Sequence, residues 1–590
     1  MGASQANAKT ITRLLFRLLP VQILLAAVSS VNGIVSSFFA SNYIGVDAMS
    51  AVGLYSPINM LLLAVSTMLM GGSAILCGKY AGKNEQKKMQ NIFSLNLFLA
   101  TMIAAVFVIV FALLAALDGT AFLTKDPVVR PLFNRYLLGQ AIGVLPLLLG
   151  NQLPTYLTME NRGRRTVIAS LVYIVVNVIL NYLFVKTLHL EAFGLALASS
   201  LGLWIFLAVQ AQVFTSGNAH LRLVRPVLSI QEGAQILRIG LPGAASYGYQ
   251  SIRGILVNRL LEAFVGSVGI SAFATADNVM RIFWSVPIGM LAVSRLMMSV
   301  SIGEEDRQSL TDIMRIMFKR FVPLMYAIAA GIILCAIPFT RVFFRPDMEP
   351  VYSMTVWGLR ILPLCMPLSI ICMHFTCYGQ ASGKQGLVHV LALLDGVVCV
   401  AGFTALLIRG IGMNSVYIAN VLNGVVTTLV IVAYAWLQKK HIPKNMEELM
   451  VIPESFGVPE DARMDLSVNS LDEVVTVAER VQTFCRKRGI DERRAFLAGL
   501  ALEEMTGNVV AHGFAKDTKK HEVDVRVVHK DEDVIIRIRD DCVPFDPGER
   551  QRMAEQDDIT KNIGLRTVFK TAKEVQYQSI LGLNVLTMRI

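Results

Sequence analysis

The chain has 590 residues, 54% hydrophobic and 16% charged, with a net charge of +11 and a mean hydropathy of +0.55. That apolarity excludes an ordinary soluble protein of this length. The charge is unevenly spread: residues 451–590 hold 21 Lys and Arg against 25 Asp and Glu, and the first 450 hold the other 33 and 18. The positive excess therefore lies on the apolar part, so the basic balance does not point to nucleic acid and no nucleic-acid partner is expected.

The apolar part divides into about twelve stretches long enough to cross a bilayer, at ~20 residues per ~30 Å of hydrocarbon. They lie near 14–41, 51–78, 92–117, 132–158, 166–187, 194–214, 236–262, 270–298, 318–340, 355–379, 386–408 and 414–437. The first is too long for a cleaved signal peptide. One set of connecting loops carries Lys79, Lys83, Lys87 and Lys88, then Arg162, Arg164 and Arg165, then Arg222 and Arg225, then Arg307 and Arg315. The alternate loops are poorer in Lys and Arg. The positive-inside rule then predicts a multi-pass protein of the cell membrane with both ends cytoplasmic. The eight cysteines show no zinc-site spacing, and a reducing compartment argues against disulfides.

The membrane part reads as duplicated. Leu19-Pro20 and Leu241-Pro242 open two spans, GVDAMSA from Gly45 aligns with GISAFA from Gly269, and Gly163 aligns with Gly383, all at offsets of 220 to 224 residues. Two six-span lobes, about 10–216 and 232–440, are predicted, with a pathway between them.

Four stretches resemble multidrug and toxic compound extrusion (MATE) transporters: SNYIGVDAMSAVGLYSP from Ser41, GGSAILCGKYAG from Gly71, the NRGRR turn from Asn161, and IGLPG from Ile239. The resemblance covers about residues 10–440. It implies a V-shaped, two-lobed body that alternates access and exports small organic cations or lipids against H+ or Na+. The wider superfamily includes lipid-linked glycan flippases. Where many bacterial members carry a span-one Asp this chain has Ser36, and where another branch has a span-seven carboxylate it has Gln250. The remaining intramembrane candidates are Asp277 and Asp395, with Arg253 and Arg281 as cations and His374 as an interior histidine. Asp277 and Arg281, four residues apart, can simply neutralise each other.

Residues 441–460, with Pro443, Pro453 and Pro459, read as a linker. The tail over 461–590 then alternates strand and helix patterns. A strand is expected at 464–468, a helix opened by the capping box Ser470–Glu473, a second helix capped by Asp491 and running to Gly513, and two strands within 522–539. A last hairpin over 574–590 turns at Gly582. The expected fold is an α+β two-layer sandwich appended to an all-α membrane body.

Glu504, Asn508 and His512 recur every four residues and share a helix face. A carboxylate there can activate a hydroxyl or water, and the Asn508 amide oxygen is a hard ligand for Mg2+. Asp540 ends a strand, where it can accept from an adenine amino group. Pro547 to Lys561 is a polar stretch able to close over phosphates, and Gly564 opens an apolar helix whose N-terminus favours anions. EMTGNVVAHG from Glu504, DDCVPFDP from Asp540 and NIGL from Asn562 are similar to the N box and two glycine boxes of the GHKL ATPase fold, and within it to anti-sigma-factor serine kinases. That resemblance implies ATP and Mg2+, with Glu504 as catalytic base, Asn508 as metal ligand, Asp540 as adenine reader, and Asn562 and Gly564 at the nucleotide. Cys542 and Asn562 replace glycines usual there.

Three functions follow as expectations. The first is an exporter regulated by a cytoplasmic ATP-binding domain. The others are a membrane-anchored serine kinase or partner-switching sensor with a cytoplasmic protein partner, and a lipid or glycan flippase.

Overall fold

The computed structural model describes residues 11–26, 39, 43–44, 46–122, 126–216, 219–514, 521–544, 546–548 and 563–590. The membrane body opens with helix α1 (residues 11–26). The rest of its first half is α2 (Val46–Gly82), α3 (Gln86–Ala116), α4 (Val129–Gly150), α5 (Leu153–Met159), α6 (Gly163–Asn181) and α7 (Glu191–Thr215). The second half begins with α8 (Ile230–Phe264), α9 (Ser267–Gly303), α10 (Arg307–Ile316), α11 (Val322–Leu334) and α12 (Ala336–Phe343). It continues with α13 (Val351–Ile361), α14 (Met366–Ser382), α15 (Gln385–Leu393), α16 (Cys399–Ile411) and α17 (Asn414–Lys439). Several adjacent pairs, such as α15 and α16, form one span through a π or 3-10 turn.

Ten spans meet a length-and-apolarity standard among the described residues. The first expected span is described over 11–26 and at residue 39. The seventh is present as the 35-residue α8, whose run of Gly, Ser, Tyr and Gln over 240–251, together with Arg238, Arg253, Arg259 and Glu262, leaves it less apolar than the ten.

Glycines let the two halves touch backbone to backbone. A methyl group on Gly72 would overlap the Ile236 carbonyl, and one on Gly240 the Met68 carbonyl, so α2 and α8 meet without intervening side chains. The same occurs between the last turns of α2 and α9: Gly82 lies against the Val300 carbonyl and Gly303 against that of Lys79. Close approach through small residues is the ordinary way apolar helices gain packing in lipid.

After α17 comes the short α18 (Met446–Leu449), capped by Asn445, whose side chain accepts from the Glu448 amide at 2.8 Å. The C-terminal unit follows, with strands β1 (Arg463–Val468), β2 (Val523–Lys530), β3 (Asp533–Asp540), β4 (Glu574–Ile580) and β5 (Leu583–Arg589), and helices α19 (Leu471–Lys487), α20 (Glu492–Asn508) and α21 (Ile563–Thr571). The sheet is antiparallel throughout, in the order β1-β2-β3-β5-β4.

The strand periods place Val525, Val527, Ile536, Ile538, Leu586 and Met588 on one face, in a core with the buried sides of α19 and α20. The β4–β5 turn holds Leu581 at φ +56° and Gly582 at φ +80°, the left-handed pair that matches strand twist. The Ser470 side chain makes no capping bond; Glu473 instead accepts from the Asn469 amide at 2.7 Å. Asp491 caps α20 as expected, accepting from the Arg494 amide at 3.0 Å.

Candidate functional site

Helix α20 runs along the inner face of the sheet with Glu504 half-buried and Asn508 as its last α-helical residue. The following turn, Val509–Gly513, has π geometry, so the four-residue spacing stops at Asn508 and His512 is exposed. Gly564, in the first turn of α21, lies directly on the Glu504 carboxylate, where a Cβ would overlap it. A helix N-terminus thus faces the acid proposed as base, and only glycine allows that approach.

Asp540, the last residue of β3, is 7% exposed. Its Oδ1 accepts from the Asn584 amide nitrogen at 2.7 Å and from the Cys542 backbone N–H at 3.0 Å. Burial raises its pKa above the ordinary aspartate value, and the Asn584 and Cys542 bonds only partly offset that. Tyr577 donates its hydroxyl to Asn584 Oδ1 at 3.0 Å, so the side chain that holds Asp540 is itself held from β4.

Cys542 is not among the residues with positive φ. Its sulfur lies 3.1 Å from where a Cβ on Gly513 would sit, so one missing side chain accommodates the other. The thiol therefore fits without left-handed strain. Asn562, Ser36 and residues 549–561 of the expected phosphate-closing stretch lie outside the described residues.

The donors suit the group the resemblance implies. An amide oxygen at Asn508, a buried carboxylate at Asp540 and the α21 N-terminus would hold Mg2+, adenine and phosphate respectively, while Glu504 would orient and deprotonate an attacking hydroxyl. ATP would supply the transferable phosphoryl group.

Sequence reading did not foresee Asn584, which only the β3–β5 register brings beside Asp540. It also missed the compact group of His521, Asp541 and Cys542, whose ligand atoms lie within 4.8 Å of one another and whose His521 Nδ1 is 2.8 Å from Asp541.

In the membrane body Asp395 sits in the π turn Leu394–Val398 between α15 and α16. It accepts from Asn423 of α17 at 2.8 Å, a partner not visible from spacing, and Arg253 of α8 donates to its backbone carbonyl at 3.4 Å. Asp277 and Arg281 pair along α9 at 3.0 Å, both largely exposed. His374 is buried, with Nδ1 2.8 Å from the Ile370 carbonyl and Nε2 2.9 Å from the Ser294 hydroxyl, so it is a satisfied link between α14 and α9. Gln250 is exposed on α8.

Comparison with known proteins adds the following. Residues 22–183 match the MatE family model, and residues 468–590 match the model for the histidine kinase-like ATPase domain. Curated relatives include "Probable multidrug resistance protein NorM" of Bacillus anthracis, 23% identical over 258 residues, which is 41% of this chain and 55% of that protein. The protein of the same name from Halalkalibacterium halodurans is 21% identical over 321 residues, 52% of this chain and 68% of that one. The chain thus spans little more than half the length of the first of these relatives.

Among solved structures, a MATE crystallised with MaL6 superposes with a TM-score of 0.68 at 19% identity, over 76% of this chain and 99% of that one. An outward-facing multidrug resistance MATE family transporter gives 0.67 at 19%, over the same shares. A transporter of the MOP superfamily from Pyrococcus furiosus gives 0.65 at 18%, over 74% and 99%. The chain is a multi-pass membrane protein whose body has the MATE fold, carrying on the same polypeptide a C-terminal histidine kinase-like ATPase domain.

Proposed function

We propose that this chain is a secondary exporter of the MATE type, acting on small organic cations or lipids, whose access cycle is regulated by its own ATP-binding domain on the cytoplasmic side. The observation that supports the reading is the joining of a MATE-fold body to a histidine kinase-like ATPase domain, in which the first turn of α21 packs through Gly564 on the Glu504 carboxylate. ATP acts as a regulator here: one such domain is present, and no G-x-x-x-x-G-K-[ST] loop stands in the sequence.

For coupling to H+ or Na+, Asp395 is favoured over Asp277. Its carboxylate is bound across helices by Asn423, and π turns inside helices often mark functional positions. Asp277 has its charge met within its own helix. Purified protein in liposomes is expected to expel a fluorescent organic cation under an imposed gradient, at a rate changed by Mg-ATP on the side of the C-terminal domain. Asp395→Asn is expected to abolish gradient-driven efflux, and Asp277→Asn to leave most of it.

A second reading, a membrane-anchored serine kinase or partner-switching sensor, is favoured by the uncharged Gln250 at the second usual coupling position. Gradient-independent phosphorylation of a cytoplasmic protein, with no efflux, would replace the first reading by this one.

A further inference from the structure

The core of the C-terminal domain uses one face of its sheet. The other face is strongly basic. Arg526 on β2 stands directly opposite Arg537 on β3, and Arg539 follows two residues along the same face. Like charges directly opposite in a sheet repel. Here Asp465 of β1 meets Arg526 within the domain at 2.5 Å, and the rest is met from outside by Glu304, Glu305 and Asp306, the loop between α9 and α10 in the second lobe. Arg526 pairs with Asp306, Arg539 with Glu304, and Lys530 with Glu305. Arg537 lies 3.6 Å from Glu304, and Arg539 lies 3.5 Å from Asp306. Asp306 and Arg526 are 1% and 8% exposed at their side chains, so the centre of the cluster is out of water.

The same sheet also grips the first lobe. Gln578 on β4 donates to the Ala81 carbonyl in the last turn of α2 at 2.6 Å. The Leu581 amide, in the β4–β5 turn, donates to the Met159 carbonyl at 2.8 Å. Gly582 packs on Asn161, with its Cβ position 2.7 Å from the Asn161 amide oxygen. Ile580, Leu581 and Val585 continue the apolar core of the membrane body.

These contacts fall on both sides of the seam where Gly82 and Gly303 bring α2 and α9 together. One rigid sheet is therefore attached to the end of each lobe where the lobes touch. Opening a pathway on that side would separate those ends, and the sheet cannot follow both.

We propose that the ATPase-domain sheet is a clamp across the two lobes that holds the cytoplasmic gate between α2 and α9 shut, so that inward opening requires the sheet to leave at least one lobe. This rests on the exporter reading for its biological meaning, but not for its test.

Spin labels placed by cysteine substitution at Lys87 and Gln438, exposed on the two lobes near that end, read the gate as a distance in the purified full chain. The parent protein is expected to show a short-distance population. Arg537→Glu with Arg539→Glu is expected to raise the long-distance population by roughly tenfold relative to the short. Adding Glu304→Arg to that variant again sets opposite charges at 304 against 537 and 539, leaves the Lys530–Glu305 pair in place, and is expected to restore the short distance, which a merely misfolded variant would not do. An unchanged distribution in the double reversal, at unchanged elution and helicity, would overturn the clamp. So would a long-distance population that the compensating Glu304→Arg fails to reduce. Efflux measured on the same variants separates the two ideas: reversible distance changes without efflux in any variant remove the exporter reading and leave the clamp standing.

Discussion

Two carboxylates in this chain have opposite fates. Asp306 is buried, which opposes its charge, but Arg526, Arg539 and the Ser309 hydroxyl and amide outweigh that and hold its pKa well below the ordinary range. A depressed carboxylate contributes stability above its unfolded pKa of about 3.9 and loses it as pH falls further. The docked domain is therefore expected to stay docked between about pH 5 and 8 and to release only in stronger acid, measured by the same spin-label distance. Arg526→Ala leaves buried Asp306 with only Arg539 at 3.5 Å and the Ser309 groups, and is expected to weaken docking by about 1–3 kcal/mol. Asp540 meets no cation among the described residues, and burial raises its pKa. Its charge at neutral pH works against the fold, and nucleotide affinity is expected to begin falling on acidification at a pH above the ordinary aspartate value. Asp540→Asn is expected to weaken ATP binding by roughly 1–3 kcal/mol in calorimetry, while raising the melting temperature of the nucleotide-free domain. Gly564→Ala presses only on the flexible end of Glu504, so it is expected to leave folding intact and displace the base, lowering any phosphoryl transfer without matching loss of binding.

At the scale of elements, β3 serves both sides of the sheet. Ile536, Ile538 and Asp540 face the helices and nucleotide residues, while Arg537 and Arg539 face the membrane body. The period of two made these strands legible in the sequence, together with the hairpin at Gly582 and the Asp491 cap. It did not say that the basic face was covered, because alternation reads the same for a solvated face and for a docked one. Glu304, Glu305 and Asp306 likewise read as an ordinary polar loop between spans. Their partners lie more than 200 residues away, beyond any local pattern. Asn584 beside Asp540 and Asn423 beside Asp395 were hidden for the same reason: register and helix packing supply them, not spacing. Gly72, Gly82 and Gly240 stand within the stretches that resemble the MATE family, but nothing in those stretches marks them as contacts, and Gly303 lies outside them. Gly303→Ala would drive a methyl into the Lys79 carbonyl, and is expected to force α2 and α9 apart at that end and lengthen the inter-lobe distance.

For the whole molecule, the segment between body and domain was read as a linker, yet it is fastened along its course. Arg307 binds Glu447 at 2.9 Å and the Phe456 carbonyl at 3.1 Å, while Lys384 donates to the Met450 and Val451 carbonyls at 2.9 and 2.6 Å. Both anchors belong to the second lobe. The domain is thus leashed to one lobe by a short, tied length of chain and reaches the other through its hairpin and the pairing of Glu522 with Arg13 of α1 at 4.0 Å. A leash of this kind fixes the local concentration of the domain at its dock, on the order of millimolar for short tethers. Docking then needs little intrinsic affinity to be the usual state, and a modest change in the sheet can tip it. The side that lets go is also determined: the β4–β5 hairpin should lift from the first lobe while the second keeps its hold. A freed domain would ride on one moving half, ready to re-engage on the next closure.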